Sequence, residues 1–159
     1  MRVHQICARL QFGDAVTGQV LSIHETVSSW GWESFIYATA RDERMAPYDD
    51  GLKAYRKGPM RSREDILIYH LSVYDDSYRL YLDSRNRKVL IYHNITPAAF
   101  LAPYDPHLAE VCRRGRELMP RLRECDLALG DSEYNRLELV ESGFAEEKTG
   151  VLPIFVDTA

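Results

Sequence analysis

Three short apolar runs in this chain are each followed closely by polar side chains that can do chemistry. The runs cover residues 66–69, 88–92 and 127–129, and the polar residues after them are His70, His93, Asn94, Asp131 and Ser132. Short apolar runs bounded by turn residues are typical of buried strands in a parallel sheet. Because open sheets of this kind bind ligands at the carboxyl ends of their strands, we expect these side chains to meet at one edge.

His93 is the candidate catalytic residue of this set. An imidazole changes charge near neutral pH, so it can transfer a proton or form a hydrogen bond with a polar ligand. The alternative is a structural histidine that is satisfied by a backbone carbonyl. His70 is a second candidate for ligand binding, and Asn94 extends the polar group that follows His93. No carboxylate or cysteine at a suitable spacing joins the two histidines, so no metal site is predicted.

Asp131 and Ser132 lie at a predicted strand-to-helix junction. Ser132 is a natural N-cap for the helix, and both side chains can face the ligand-binding edge. Arg136 lies one turn further along the same helix. It has two interpretations, contact with an anionic ligand or a place on a solvated helix face.

Gly13 and Asp14 follow the first predicted strand and form a second candidate binding element. Asp14 is expected to cap a helix, and Gly13 would let a ligand approach the backbone amides at the start of that helix. A tight turn with a helix cap is the alternative reading. The segment does not match a dinucleotide fingerprint or a phosphate-binding P-loop, because it has only Gly13 and Gly18, and Gln19 and Val20 replace the P-loop lysine and hydroxyl.

The apolar periodicity predicts the elements that position these residues. The predicted strands cover 3–10, 33–39, 65–70, 88–92, 127–129 and 149–156. The predicted helices run from Asp14 to Gly31, over 76–84, over 106–125 with a break at Pro120, and from Ser132 to Gly143. Residues 41–64 have no clear period and are predicted to form a surface excursion, with a short strand at 54–56.

Strands that alternate with helices predict an α/β fold, a Rossmann-like three-layer α/β/α domain with a mostly parallel sheet. The whole chain, residues 1–159, is predicted to be one domain. We expect the first strand to lie beside the fourth, with a crevice between them at the point where the strand order reverses. That crevice would have Gly13 and Asp14 on one side and His93 and Asn94 on the other.

Composition limits the function classes. The 159 residues carry a formal net charge of −4, which does not favour a general nucleic-acid-binding surface. Cys7, Cys112 and Cys125 are odd in number and lack metal-type spacing, as expected for reduced thiols in a cytoplasmic protein. No apolar run is long enough for a membrane span, and the first residues do not resemble a signal peptide.

Two groups of basic residues allow contact with an anionic surface. Arg113, Arg116 and Arg123 fall on roughly one side of the predicted helix 106–125, so peripheral membrane contact and a solvated helix face are both open. Contact with phosphate or lipid phosphate is equally open for the basic residues of the excursion, which are Arg41, Arg44, Arg56, Lys57, Arg61 and Arg63.

With these residues in view, the chain resembles the N-terminal half of a family 4, GT-B-fold glycosyltransferase, nearly from end to end. The most specific segments are 92–97 (Tyr-His-Asn-Ile-Thr-Pro) and 127–136, which contains Gly-Asp-Ser-Glu-Tyr-Asn-Arg. The other matching segments are 4–5, 13–15, 33–38, 68–72 and 150–154. The resemblance implies one of two Rossmann-like domains that face each other across a cleft.

The resemblance also implies an activity. The chain would be the acceptor-side domain of a retaining, metal-independent hexosyltransferase that moves a sugar from a nucleotide-sugar co-substrate to a glycan or glycolipid, without a cofactor. His93 would contact the transferred sugar, and Gly13 would approach the donor phosphates. Asp131 and Ser132 would line the same cleft.

The chain departs from the family because it ends where the donor-binding C-terminal domain would begin. We therefore expect this chain alone to be inactive and to need its C-terminal domain. Its exposed cleft face would favour self-association, and the full enzyme would be cytoplasmic or peripheral at the inner membrane face. Two alternatives stay open: a non-catalytic binding or scaffold module, and another Rossmann-like enzyme that binds NAD.

Overall fold

Six parallel strands form one sheet in the computed structural model, which describes residues 1–155. They are β1 (Arg2–Leu10), β2 (Glu33–Arg41), β3 (Ile66–Leu71), β4 (Arg87–Tyr92), β5 (Leu127–Gly130) and β6 (Thr149–Val151). The strands pair in the order β2-β1-β3-β4-β5-β6, and every neighbouring pair is parallel. The predicted α/β class with a Rossmann-like sheet is confirmed.

Helices connect these strands and cover the sheet. They are α1 (Ala15–Ser29), α2 (Leu52–Lys57), α3 (Tyr78–Asp83), α4 (Ala98–Leu101), α5 (Pro106–Leu118) and α6 (Glu133–Glu141). Asp14 caps α1 by accepting a hydrogen bond from Thr17 N, and Gly31 follows the helix with φ of 77°. The predicted helix 106–125 breaks near Pro120 as expected: α5 ends at Leu118, and the chain continues as a 3-10 turn at Met119–Leu122.

The predicted position of the crevice is wrong. The first strand lies beside β2 and β3, not beside the fourth, so the strand order reverses between β1 and β3. The predicted short strand at 54–56 is also wrong, because Leu52–Lys57 forms α2 and buries Tyr55 against the sheet. The chain passes from the edge strand β2 through α2 to β3, and β3 pairs with the side of β1 that β2 does not occupy.

The last strand is shorter than predicted. Pairing of β6 with β5 covers Ala128 to Gly130 on one side and Thr149 to Val151 on the other. Pro153 lacks the N–H that a longer ladder would need, and residues 152–155 continue without regular structure. Val156, the last residue of the predicted strand, lies outside the described residues.

Alternation along the strands divides the core between two faces. On one face, Val3, Ile68 and Ile91 pack against Ile23 and Val27 of α1. On the opposite face, apolar and tyrosine side chains pack against α2, α3, α5 and α6. Five tyrosines of this second cluster are almost fully buried, namely Tyr37, Tyr55, Tyr69, Tyr81 and Tyr92.

Close packing at Gly130 fixes the position of α6. A Cβ at this position would lie 2.5 Å from the backbone nitrogen of Arg136, so only glycine lets the first turns of α6 approach the end of β5. This contact sets the direction of the chain at Asp131. No helix within residues 1–155 combines the length and the apolar character that a membrane crossing requires.

Candidate functional site

A chain of hydrogen-bonded side chains crosses four neighbouring strands on the α1 side of the sheet. Asp131 Oδ2 is 3.0 Å from His93 Nδ1, and His93 Nε2 is 2.9 Å from His70 Nδ1. His70 Nε2 is 3.0 Å from Gln5 Oε1, and Gln5 Nε2 donates to the carbonyl of Val20 in α1. We call Asp131, His93, His70 and Gln5 the polar chain.

Strand pairing places these side chains on one face. His70 lies in β3 beside Cys7 of β1, and Gln5 precedes Cys7 by two residues, which is one repeat along a strand. His93 N donates to Leu71 O, and Asp131 N donates to Tyr92 O, so the sheet pattern continues just past β4 and β5. The polar chain therefore spans the point between β1 and β3 where the strand order reverses.

Asn94 turns the backbone away from the sheet directly after His93. Its φ is 47°, in the left-handed region that asparagine tolerates better than most residues. Asn94 is exposed. It lies at the carboxyl edge of the sheet, and its backbone conformation accounts for the residue type.

The three hydrogen bonds that link the polar chain require three protons. Gln5 donates through its amide nitrogen to Val20, so its oxygen accepts a proton from His70 Nε2. Two neutral imidazoles supply only two protons, and the carboxylate of Asp131 supplies none. When all three bonds are formed, one of the two rings is therefore an imidazolium that balances the charge of Asp131.

The geometry assigns the extra proton to His93, because this ring contacts the carboxylate of Asp131 at 3.0 Å. Burial and the neighbouring His93 ring lower the pKa of His70 well below its usual value, which keeps His70 neutral. His93 is fully buried, yet it contacts Asp131, whose side chain is 12% exposed. Asp131 Oδ1 is buried and has no hydrogen-bond partner among residues 1–155.

The structure does not bring Gly13 and Asp14 into contact with His93. Instead they line an open cleft of about 870 Å³ at the start of α1, together with Met45, Ile154 and Phe155. Gly13 has φ of 78°, and a Cβ there would meet no atom within 4 Å, so the turn leaves space in front of the helix amides. The cleft and the polar chain lie on the same side of the sheet, because α1 residues line the cleft and Gln5 of the polar chain donates to Val20 O in α1.

Ser132 and Arg136 have structural roles in this arrangement. Ser132 Oγ caps α6 by accepting from Asn135 N at 3.2 Å. Arg136 forms a salt bridge with Glu133 at 2.6 Å and also contacts Glu146. Ser132 follows Asp131 directly and Arg136 lies one turn into α6, and the polar atoms of both are engaged with α6 and its surroundings.

A partly buried ionic cluster on the opposite face was not predicted. Arg116 of α5 pairs with Glu138 of α6, and it donates to Tyr92 Oη and to Ile95 O. Tyr92 Oη in turn donates to Glu138. This cluster holds the loop after β4, which contains Asn94, against two helices. It also removes Arg116 from the predicted basic face, and Arg113 is paired with Glu110 and Glu117.

Gln5 is the second feature that sequence reasoning missed. Its signal was a polar residue within the apolar run of the first strand, where a buried amide needs a partner.

In the part of the chain that the structure describes, no group of three or more His, Cys, Asp or Glu side chains could hold a metal ion. No protein-family model matches this chain, and no curated protein is similar to it in sequence.

Proposed function

We propose that this chain is the acceptor-side domain of a retaining, metal-independent hexosyltransferase with a GT-B arrangement. It would act with a donor-binding domain that holds the nucleotide-sugar, and it would bind a glycan or glycolipid acceptor. The observation that carries this proposal is the polar chain, which ends at the carboxyl edge of the sheet in the carboxylate of Asp131, whose side chain is 12% exposed. The resemblance of segments 92–97 and 127–136 to family 4 glycosyltransferases supports the same function.

Asp131 is the group through which the polar chain would act on a sugar. A carboxylate accepts hydrogen bonds from hydroxyl groups, and the Asp131 side chain is 12% exposed, with its buried Oδ1 unpartnered among residues 1–155. Both ring nitrogens of His93 are engaged with Asp131 and His70, so His93 would act by holding the charge and orientation of that carboxylate. In the proposed reaction, an acceptor oxygen replaces the phosphate oxygen on the anomeric carbon, and the hydroxyl proton leaves with the nucleoside diphosphate.

A non-catalytic binding module is the second candidate, because the cleft beside α1 exposes aromatic side chains. Phe12, Tyr48 and Phe155 line it with exposed fractions of 58%, 43% and 48%. Exposed apolar groups that cluster around a concave surface favour contact with a partner. A scaffold function would use this cleft and would leave Asp131 without a role in binding.

Ligand-observed NMR on the purified chain separates the two candidates. The panel contains UDP- and GDP-sugars together with acceptor glycans, and the variants are His93→Ala and Asp131→Asn, with Ser22→Ala as a cleft control. Glycan binding that weakens in both site variants but not in Ser22→Ala supports the acceptor-side domain. Tight binding of a nucleotide-sugar by this chain alone would reverse the assignment of the halves, and no binding across the panel would favour the scaffold.

A further inference from the structure

Two arginines, one in α5 and one just after it, lie over tyrosine rings and have no ion-pair partner within residues 1–155. The guanidinium carbon of Arg114 lies 3.6 Å from the centre of the Tyr74 ring, and that of Arg121 lies 5.3 Å from the centre of the Tyr78 ring. Both arginines are exposed. All four residues line one cleft of about 290 Å³ between α5 and the loop after β3, which we call the arginine cleft.

Packing fixes the geometry of the arginine cleft. A Cβ at Gly115 would lie 2.9 Å from the backbone nitrogen of Tyr74, so α5 touches the loop after β3 directly. That contact sets Arg114 beside Tyr74. Tyr78 is buried at the start of α3, and its ring lies 5.8 Å from that of Tyr74. The two rings therefore form a fixed platform for two positively charged groups.

Neither guanidinium group forms a salt bridge within residues 1–155. At 3.6 Å from the ring centre, Arg114 is in contact with the face of Tyr74, which leaves the in-plane N–H donors of Arg114 available, whereas Arg121 lies further from the Tyr78 ring at 5.3 Å. Glu117, which also lines the cleft, pairs with Arg113, and Asp76 accepts from Tyr74 Oη and pairs with Arg79. The arginine cleft therefore presents positive charge with unused donors.

We propose that the arginine cleft binds a phosphate group. Phosphate offers several acceptor oxygens and up to two negative charges, which match two guanidinium groups better than a single carboxylate does. The proposal does not depend on glycosyl transfer, because none of the residues of the polar chain takes part in it. A phosphorylated sugar and an anionic lipid headgroup share this chemistry, and the experiment below distinguishes them.

The test is an NMR titration of ¹⁵N-labelled chain with inorganic phosphate, followed at the amides of Tyr74, Gly115 and Leu118. Saturable shifts with a dissociation constant of about 1 mM or lower are expected. Arg114→Ala and Arg121→Ala should each weaken binding about tenfold, since each removes a charge-assisted contact. Arg114→Lys should weaken it less, because it keeps the charge and loses the planar group.

Arg56→Ala is the matched control, because it removes the same charge from an exposed position on α2. It should leave phosphate binding unchanged. The proposal is overturned if the wild-type shifts do not saturate, or if Arg56→Ala weakens binding as much as Arg114→Ala. Stronger binding of a sugar phosphate than of phosphate would identify a soluble source, and arginine-dependent binding to phosphatidylglycerol vesicles but not to phosphatidylcholine vesicles would identify a lipid source.

Discussion

Replacing Asp131 by asparagine and by alanine separates the two contributions of its carboxylate, which are a hydrogen bond and a charge. In Asp131→Asn, the side-chain amide can donate to His93 Nδ1. Two neutral imidazoles then complete the other two bonds of the polar chain, so every hydrogen bond survives without the extra proton. In Asp131→Ala, His93 Nδ1 loses the partner that now lies 3.0 Å away.

The difference in stability follows from the burial of this pair. His93 is fully buried and the Asp131 side chain is only 12% exposed, so solvent replaces little of the lost bond. A hydrogen bond to a charged group contributes about 1.5–3 kcal/mol, and we expect Asp131→Ala to lower the free energy of unfolding by about 2 kcal/mol. Asp131→Asn should cost less than about 1 kcal/mol, because it keeps the bond and loses only the charge.

Urea unfolding followed by circular dichroism measures both values. The urea dependence should stay the same in the two variants, since neither changes the surface that unfolding exposes. Equal destabilisation by asparagine and alanine would refute the proton count, because it would mean that the amide cannot replace the carboxylate in the polar chain. A neutral effect of alanine would refute the contribution of the His93–Asp131 bond itself.

Three further predictions concern stability. The pKa of His70 is lowered in the folded state, so the unfolded state takes up this proton at a higher pH than the folded state does. The free energy of unfolding should therefore fall as the pH drops below about 6.5, by up to about 1.4 kcal/mol per pH unit for this group. His70→Asn should flatten that dependence in urea unfolding across pH. Glu138→Leu should cost about 2 kcal/mol by leaving Arg116 unpaired, a value reduced because Arg116 is 32% exposed, and adding Arg116→Met should recover part of it in the same assay. Gly130→Ala should lower the free energy of unfolding by about 1–3 kcal/mol or more, since its Cβ would lie 2.5 Å from a backbone nitrogen of α6. Gly18→Ala in α1 is the control: its Cβ would meet no atom within 4 Å, and it should be neutral or stabilising in thermal unfolding.

Most of the secondary structure could be predicted from the sequence, because buried strands and capped helices leave local signals. The run before His93 and the cap at Asp14 are examples, and both elements lie where the pattern places them. The end of β6 was harder to predict. Apolar residues continue past Val151, but Pro153 cannot donate to the sheet, so apolar character alone gives too long a strand.

The order of the strands could not be obtained from local patterns. The segment around Tyr55 shows the same limit, because it has no clear period and forms α2 instead of the predicted short strand. Tyr55 Oη bonds with Ser84 and Asn86, about 30 residues later in the chain, so its place in the core is set by tertiary contacts. Tertiary packing overrides weak local propensity in such segments.

The polar chain was predictable only in part. His70, His93 and Asp131 were candidates because they follow apolar runs, and the structure joins them. Gln5 is 65 residues from His70, so no sequence spacing could reveal their bond. The pair of Arg116 and Glu138 was hidden in the same way, since each residue also fits an exposed position on an amphipathic helix.

The protonation of the two histidine rings tests the central claim most directly. Long-range ¹H–¹⁵N NMR spectra of the histidine-labelled chain report which ring nitrogens carry protons, and about pH 6 is suitable because imidazoles titrate nearby. The polar chain predicts a doubly protonated His93 and a neutral His70 with its proton on Nε2. Two neutral rings, or an imidazolium at His70, would contradict it and would leave Asp131 without the charge partner on which the proposed site depends.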